Sequence, residues 1–327
     1  MDYFFENGYA VIIGVGNDLP ITVKDARSIA DIIIDPNTCG YLEENVKLLV
    51  NDKASRKNIL DALDWLALQT SKDSDSTAII YFSGHGGDKP HYHLVPFDYN
   101  PNDIDNSTIS GDEFTEKLRN VKSKKLLVLL DSCHAGGIAE AKGKSAFSGS
   151  PFHNDLLAEL GKSSGRVVIA SCMKEELSKI RKGDPNSVFT LALLDALNGY
   201  GSFEHDGFVR VLDIAMYLSR AVSKLTFDTQ HPIIKVNNLE DNYAVAYYAG
   251  GNKEPKFSSQ LQPNNLDIIQ IETYRNMLNN YRNNLLLIDE RISEFVMFTD
   301  IPIQLIKNKK DIENKIVDLE RKLGLKI

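Results

Sequence analysis

Residues 124–137 read KKLLVLLDSCHAGG, and the rest of the chain is interpreted outward from this stretch. The apolar run from Leu126 to Leu130 has the length and the Leu/Val content of a strand buried in a parallel sheet. Polar and reactive residues follow directly, among them Cys133 and His134. Open α/β folds place their sites at the carboxyl edge of such a sheet. The stretch therefore predicts a site at this edge, with Cys133 as the candidate nucleophile.

The composition is that of a globular protein and limits its partners. The chain has 327 residues, 43% of them hydrophobic and 25% charged. Its net charge of −8 argues against binding to nucleic acid or anionic membranes, and no apolar run has the length of a transmembrane helix. The N-terminus, MDYFFENGYA, lacks the regions of a secretory signal, and three cysteines do not make a disulfide framework. We therefore expect a cytoplasmic protein with reduced thiols.

Strand and helix patterns alternate along roughly the first 250 residues. Strands are predicted over residues 9–15, 46–50, 76–82, 124–131, 166–172 and 243–248, with a short β excursion over 91–97. Helices are predicted over residues 21–34, 55–68, 108–121, 187–197 and 209–225. The third strand is expected to break at the sequence SGHGG, residues 83–87. This alternation predicts an α/β fold with a mostly parallel, six-stranded sheet flanked by helices.

The composition changes near Gly250, which divides the chain into a first domain (1–250), a linker (251–266) and a helical module (267–327). Apolar residues of the module recur at spacings of four and three, the heptad pattern of a long helix: Tyr274, Leu278, Tyr281, Leu285, Ile288, Ile292 and Phe295. A second helix carries apolar residues on one face: Ile312, Ile316, Leu319 and Leu323. The module is a helical hairpin or half of an intermolecular coiled coil. It either packs on its own chain or serves in assembly and docking.

Two strand ends of the predicted sheet carry residues suited to nucleophilic catalysis. His85 lies in SGHGG after the third strand, and Cys133 follows the fourth. A neighbouring imidazole lowers the pKa of a thiol and later protonates the leaving amine. The glycines around His85 leave backbone N–H groups free to bind an oxyanion. These residues therefore predict a His–Cys dyad rather than two unrelated side chains.

The paired motifs SGHGG and DSCHAGG resemble those of the caspase–metacaspase superfamily of cysteine peptidases, family C14, in its prokaryotic metacaspase or orthocaspase form. The resemblance covers roughly residues 8–248 and extends to the stretches HLVPFDY and SVFTLALLDALNG. It implies a caspase-like fold in which His85 is the catalytic base and acid and Cys133 the nucleophile. The backbone N–H groups of Gly86 and Cys133 would form the oxyanion hole.

The residues before the nucleophile bear on specificity. Caspases that cut after Asp carry QAC, whereas this chain has DSC, the pattern of metacaspases, which cut after Arg or Lys. The resemblance implies that Asp25, Ser83 and Asp131 form the S1 pocket, which receives the P1 residue before the scissile bond. A desolvated carboxylate pair binds a guanidinium or ammonium group and rejects an acidic one. The expected partner is therefore a protein substrate with a basic P1 residue.

The motifs do not decide two further properties of the family, calcium dependence and autoprocessing. Many metacaspases need calcium, but this chain lacks their acid-rich insert after the histidine, so we expect no cofactor, with calcium as the alternative. The candidate calcium ligands are Asp98, Asp103, Asp105, Asp112 and Glu113. Residues 138–165 lie where caspases are cut into two subunits. Lys142 and Lys144 are therefore candidate autoprocessing sites, and an uncut chain is the alternative.

The module is similar to tails of bacterial signalling and defence effectors. This similarity implies activation by a partner or by self-assembly through residues 267–327, and a role in antiviral defence or cell death. The preferred interpretation is a regulated cysteine endopeptidase that cuts after Arg or Lys. One alternative is a pseudoprotease that acts as a scaffold through the module. Another is an acyltransferase or hydrolase acting on small amides.

Overall fold

The computed structural model of the protein describes residues 5–88, 92–134, 165–173, 176–237, 239–250, 253, 268–293, 302–323 and 325–326. The chain forms two compact units. The first contains Met1–Ser178 and Pro185–Ser258, and the second contains Lys179–Asp184 and Ser259–Ile327. The second unit thus takes in six residues from within the predicted first domain, for which the sequence pattern has no signal.

Twelve strands are found in the part of the chain that the structure describes. In chain order they are β1 (Gly8–Gly14), β2 (Val46–Val50), β3 (Thr77–Asp88), β4 (Tyr92–Leu94), β5 (Ile109–Ser110), β6 (Lys125–His134), β7 (Arg166–Ala170), β8 (Ile180–Arg181), β9 (Phe208–Arg210), β10 (Ile233–Asn237), β11 (Ala244–Tyr247) and β12 (Leu325–Lys326).

The main sheet of the first unit has the strand order β10-β7-β6-β3-β1-β2. Every neighbouring pair along this path is parallel except β10 and β7. The short strands β4 and β5 extend the sheet from the far end of β3. The predicted mostly parallel sheet is confirmed. Its sixth strand is β10, whereas the strand predicted over residues 243–248 forms as β11 and pairs with β9 outside the main sheet.

Helices cover both faces of this sheet. In chain order, the α-helices of the described residues are α1 (Pro20–Ile34), α2 (Arg56–Thr70), α3 (Ile104–Ser107), α4 (Gly111–Asn120), α5 (Val188–Leu197), α6 (Val211–Leu225), α7 (Ile268–Ser293) and α8 (Ile303–Lys322). One core joins α1, α5 and α6 to sheet residues such as Tyr81 and Leu129. The other joins α2 and α4 to Phe82 and Leu130. Each buried large apolar side chain contributes about 1.5–3 kcal/mol to these cores.

The strands β3 and β6 run further than their apolar sequences indicate. β3 continues through SGHGG to Asp88 and β6 continues to His134, so the predicted break at residues 83–87 is wrong. A Cβ atom on Gly84 would lie 2.7 Å from Cγ2 of Val15, and one on Gly86 would lie 2.9 Å from the Tyr92 hydroxyl. These glycines therefore permit close packing against an extended strand and do not form a turn.

The second unit contains a helical hairpin. Helices α7 and α8 pack against each other, with the heptad residue Leu278 and the α8-face residues Leu319 and Leu323 buried. The strands β8 and β12 pair antiparallel, so residues 180–181 are hydrogen-bonded to the end of the module. In the described chain, no helix is both long enough and apolar enough to cross a membrane.

Candidate active site

The register of β3 against β6 aligns the predicted site residues of the two strands. Ser83 lies opposite Asp131, and His85 lies opposite Cys133. Residues two positions apart on a strand share a face of the sheet. The core residues Tyr81 and Leu129, two positions before Ser83 and Asp131, belong to the face covered by α1 and α5. Sheet pairing therefore brings the backbone of the proposed dyad together, although its members are distant in sequence.

His85 is held by a carboxylate that the sequence interpretation missed. Its side chain is 8% exposed, and its Nε2 atom lies 3.0 and 3.1 Å from the two carboxylate oxygens of Asp18. The other ring nitrogen, Nδ1, is buried and has no hydrogen-bond partner among the residues that the structure describes. The hydrogen bond from His85 lowers the pKa of Asp18 below its usual value. Asp18 is therefore ionised at neutral pH.

Asp18 lies in the turn between β1 and α1. Gly16 and Asn17 adopt positive φ angles of 76° and 61°, and the Leu19 N–H donates to the Gly16 carbonyl at 3.0 Å. The Asn17 side-chain amide donates to the Phe97 carbonyl at 3.2 Å. The sequence signal for this turn is the break of the first strand at Gly16 and Asn17. An acid directly after it was the available clue to a site residue.

Asp25 projects from α1 and is 1% exposed. Its Oδ1 atom accepts hydrogen bonds from the Asn186 side-chain amide at 2.9 Å and from the Ser187 backbone N–H at 3.0 Å. The Ser83 hydroxyl donates a longer hydrogen bond, of 3.4 Å, to the Oδ2 atom of Asp25. The structure thus brings Asp25 and Ser83 together, as the S1 prediction requires.

Asp131 is buried at the same place and is 4% exposed. Its Oδ1 atom accepts a hydrogen bond from the Ser178 hydroxyl at 2.7 Å. Its Oδ2 atom accepts from the hydroxyls of Ser187 at 2.5 Å and Thr190 at 3.3 Å. Ser187 therefore contacts both carboxylates, with its backbone N–H on Asp25 and its hydroxyl on Asp131.

Burial changes the protonation of this carboxylate pair. Desolvation, followed by the neighbouring Asp131 charge, raises the pKa of Asp25 to about 7. Desolvation also raises the pKa of Asp131, although hydrogen bonds from hydroxyls partly oppose it. No Lys or Arg of the described chain forms an ion pair with either carboxylate. A cation bound beside such a pair of buried acids would offset the free-energy cost of burying their negative charge.

Apart from Ser83, the donors to this pair come from a segment that the sequence interpretation did not assign to the site. Ser178, Asn186, Ser187 and Thr190 all follow β7. Ser187 caps α5, because its hydroxyl accepts a hydrogen bond from the Thr190 N–H at 3.0 Å. The predicted start of a helix at residue 187 was a usable signal for that cap. For Ser178 and Asn186 the sequence has no such signal, since their role depends on the fold.

The structure describes only some of the remaining predicted site residues. Gly86 lies on β3 next to Tyr92, whose hydroxyl is 3.1 Å from that of Ser132. The oxyanion hole assigned to the N–H groups of Gly86 and Cys133 stays a prediction. Lys142 and Lys144 lie outside the described residues.

Two of the acidic residues considered for calcium are bound by Arg56. Asp98 accepts a hydrogen bond from the Arg56 N–H at 2.7 Å, and Glu113 forms an ion pair with the Arg56 guanidinium at 2.7 Å. Within the described ranges, no group of three or more His, Cys, Asp or Glu side chains is arranged to hold a metal ion. The expectation about calcium stays a prediction.

A comparison with protein-family models agrees with this architecture. The sequence model of the caspase domain, peptidase family C14, matches residues 7–244. A comparison with curated proteins gave no match. The matched range contains every strand of the main sheet and both members of the proposed dyad. The chain therefore belongs to the caspase-domain family of cysteine peptidases, peptidase family C14.

Proposed function

We propose that this cysteine peptidase cleaves protein substrates after Arg or Lys by means of a His85–Cys133 dyad. The observation that carries the proposal is the buried pair Asp25 and Asp131, each 4% exposed or less. Burying a carboxylate is unfavourable unless a cation or several hydrogen bonds compensate it. The described residues provide hydroxyl and amide donors but no cation. A guanidinium or ammonium group of a P1 side chain would supply that charge.

The chemistry follows from the dyad. The Nδ1 atom of His85 takes the proton from the Cys133 thiol, and the thiolate attacks the scissile carbonyl carbon. The resulting oxyanion is stabilised by the N–H groups of Gly86 and Cys133. His85 then donates its proton to the leaving amine, the C–N bond breaks, and water hydrolyses the thioester. The proposal assigns no step to a metal.

An activity-based probe tests the proposal. Peptidyl-arginine and peptidyl-lysine acyloxymethyl ketones should label the full chain and should not label Cys133→Ala. Cys172→Ala is the matched control, because Cys172 is a buried thiol of the same unit, and this variant should still be labelled. A P1 peptide library that returned Asp or Leu would overturn the basic specificity. Failure of every peptide probe would favour the scaffold interpretation.

We propose further that the C-terminal module regulates the carboxylate pair, consistent with an effector that acts in bacterial signalling, antiviral defence or cell death. Residues 179–184 belong to the second unit, and they directly follow Ser178 and nearly reach Asn186. Ser178 donates to Asp131 and Asn186 donates to Asp25. Displacing this six-residue segment would therefore pull on both donors through the covalent chain.

Weakening the attachment of that segment tests the regulation. Within the second unit, Lys179 lies 3.7 Å from Glu320, a carboxylate that also pairs with Arg282 at 2.7 Å. Glu320→Gln should raise KM for an arginyl peptide several-fold. Alkylation of Cys133 by iodoacetamide should stay unchanged. Asp311→Asn, an exposed acid on α8, is the control and should change neither value. Equal KM values in all three proteins would contradict the proposal.

A further inference from the structure

We propose that Asp18 is a positioning residue for catalysis, which orients the His85 imidazole and fixes the position of its proton. The inference rests on the proposed dyad and extends it from two residues to three. Asp18 does not contact the substrate in this proposal, and it acts through His85. The sequence motifs that carry the family resemblance do not include this residue.

The hydrogen-bond geometry assigns the tautomer. A carboxylate only accepts hydrogen bonds when ionised, so the Nε2 atom of His85, at 3.0 and 3.1 Å from the Asp18 oxygens, must carry the hydrogen. In the neutral ring, Nδ1 then has a free lone pair. Nδ1 is also the ring atom without a partner among the described residues. Nδ1 is thus the atom ready to accept the thiol proton of Cys133, the residue opposite His85 in the register.

The turn around Asp18 is held at several points, so the carboxylate is not presented by a free loop. The Gly16 N–H donates to the Thr22 hydroxyl at 2.7 Å, and the Asn17 side chain donates to the Phe97 carbonyl at 3.2 Å. A Cβ atom on Gly16 would lie 2.4 Å from the Asn51 side-chain oxygen. The positive φ of Gly16, 76°, also favours glycine there. The backbone therefore fixes where Asp18 can reach.

The charge of Asp18 also affects the transferred proton. When Nδ1 accepts the thiol proton, the ring becomes an imidazolium, and the carboxylate on its other side stabilises that charge. The side chain of Asp18 is 52% exposed, so water screens this effect and its contribution is smaller than in a buried triad. The neighbouring elements also carry acids, namely Cys133 and Asp131 on β6 and Asp25 on α1. Among the side chains that the structure describes, Asp18 is the acid hydrogen-bonded to the ring.

The substitution Asp18→Asn tests the inference. The amide can donate to Nε2 and so move the ring proton to Nδ1, where it blocks transfer from the thiol. We expect kcat for an arginyl peptide to fall about 10²-fold, less than the ~10⁴-fold effect in a buried triad, with KM little changed. Alkylation of Cys133 by iodoacetamide needs no substrate. Its pH midpoint should move up by about one unit, because the imidazolium that stabilises the thiolate is itself less stable.

Two further variants make the result decisive. Asp61→Asn removes an acid of similar exposure that pairs with Lys57 on α2, and it should leave kcat and the alkylation midpoint unchanged. Asp18→Glu keeps the charge and should recover part of kcat. Unchanged kcat and midpoint in a folded Asp18→Asn protein would overturn the inference. Failure of the dyad itself gives a different result, since the wild-type thiol would then ionise only near its ordinary pKa of about 8.5.

Discussion

Two carboxylate settings at one edge of the sheet differ in every property that matters for their chemistry. Asp18 is half-exposed, contacts an imidazole, and has a lowered pKa. Asp25 and Asp131 are buried among neutral donors of the described chain, and both have a raised pKa. The residue type is the same, so the difference comes from desolvation and from the charge of the neighbour. The first setting suits a permanent anion that holds a base, and the second suits a site awaiting a cation.

Removing the charge from the buried pair gives the largest expected effect. Asp131→Asn should lower kcat/KM for arginyl peptides about 10²–10³-fold, roughly 3–4 kcal/mol, because the P1 cation loses a desolvated partner. Paired assays on arginyl and uncharged P1 peptides would measure this, with the uncharged peptide little affected. The control is Asp213→Asn, another buried acid of the first unit, which caps α6. An equal loss on both peptides would contradict the pocket assignment.

A third carboxylate sharpens the comparison, because it is buried but has cationic partners. Glu320 is 3% exposed and contacts Lys179 and Arg282. Glu320→Ala leaves the buried Lys179 and the partly exposed Arg282 without their shared carboxylate and should destabilise the second unit by about 3 kcal/mol. Hydrogen exchange across α7 and α8 would measure the loss. The exposed pair of Asp311 predicts that Asp311→Ala costs under about 1 kcal/mol. Equal costs would mean that burial is not the deciding factor.

The pH dependence separates the two settings directly. Asp25 must ionise to bind a cation, and its pKa is raised to about 7. For arginyl peptides, kcat/KM should therefore rise up to about tenfold per pH unit below that value and level off above it. Asp25→Asn should remove this limb while leaving the limb that belongs to the dyad. A pH profile with the same shape in wild type and variant would refute the assignment of this limb to Asp25.

The smallest expected effect is on stability. An acid with a pKa raised from 3.8 to about 7 favours the unfolded state as pH rises between those values, because the unfolded chain ionises first. Asp25→Asn avoids that cost and should raise the free energy of unfolding at pH 8. The gain should be smaller at pH 5. Urea unfolding at both pH values measures it, and a variant less stable at pH 8 than wild type would be the contrary result.

Much of the architecture could be predicted, because local patterns of apolar residues determine where strands and helices form. The apolar runs predicted five of the six strands on the main path, and the helical periodicity of residues 21–34 and 55–68 predicted α1 and α2. The break predicted at SGHGG was wrong, since glycine marks close packing as well as turns. Strand β10 was missed, because a short edge strand carrying Lys235 and Asn237 has little apolar signal.

The candidate site likewise has residues that the sequence indicated and partners that it did not. Residue types and motif order indicated His85 and Cys133, since reactive groups after buried strands are local features of a sequence. The family resemblance indicated Asp25 and Asp131. The partners of these residues were not predictable in this way. Asp18 contacts His85 across 67 positions, and Asn186 contacts Asp25 across 161. Hydrogen bonds of this range exist only once the sheet has formed.

The sequence by itself determined the family, the α/β class and the chemistry available at the sheet edge, because these depend on apolar periodicity and residue type. Only the tertiary structure decided which acids have a raised pKa and which has a lowered one. It also decided that Asp18 holds the histidine, and that residues 179–184 belong with the C-terminal module. The physical reason is that desolvation and long-range hydrogen bonds are properties of packing. They act between residues whose separation along the chain hides their proximity.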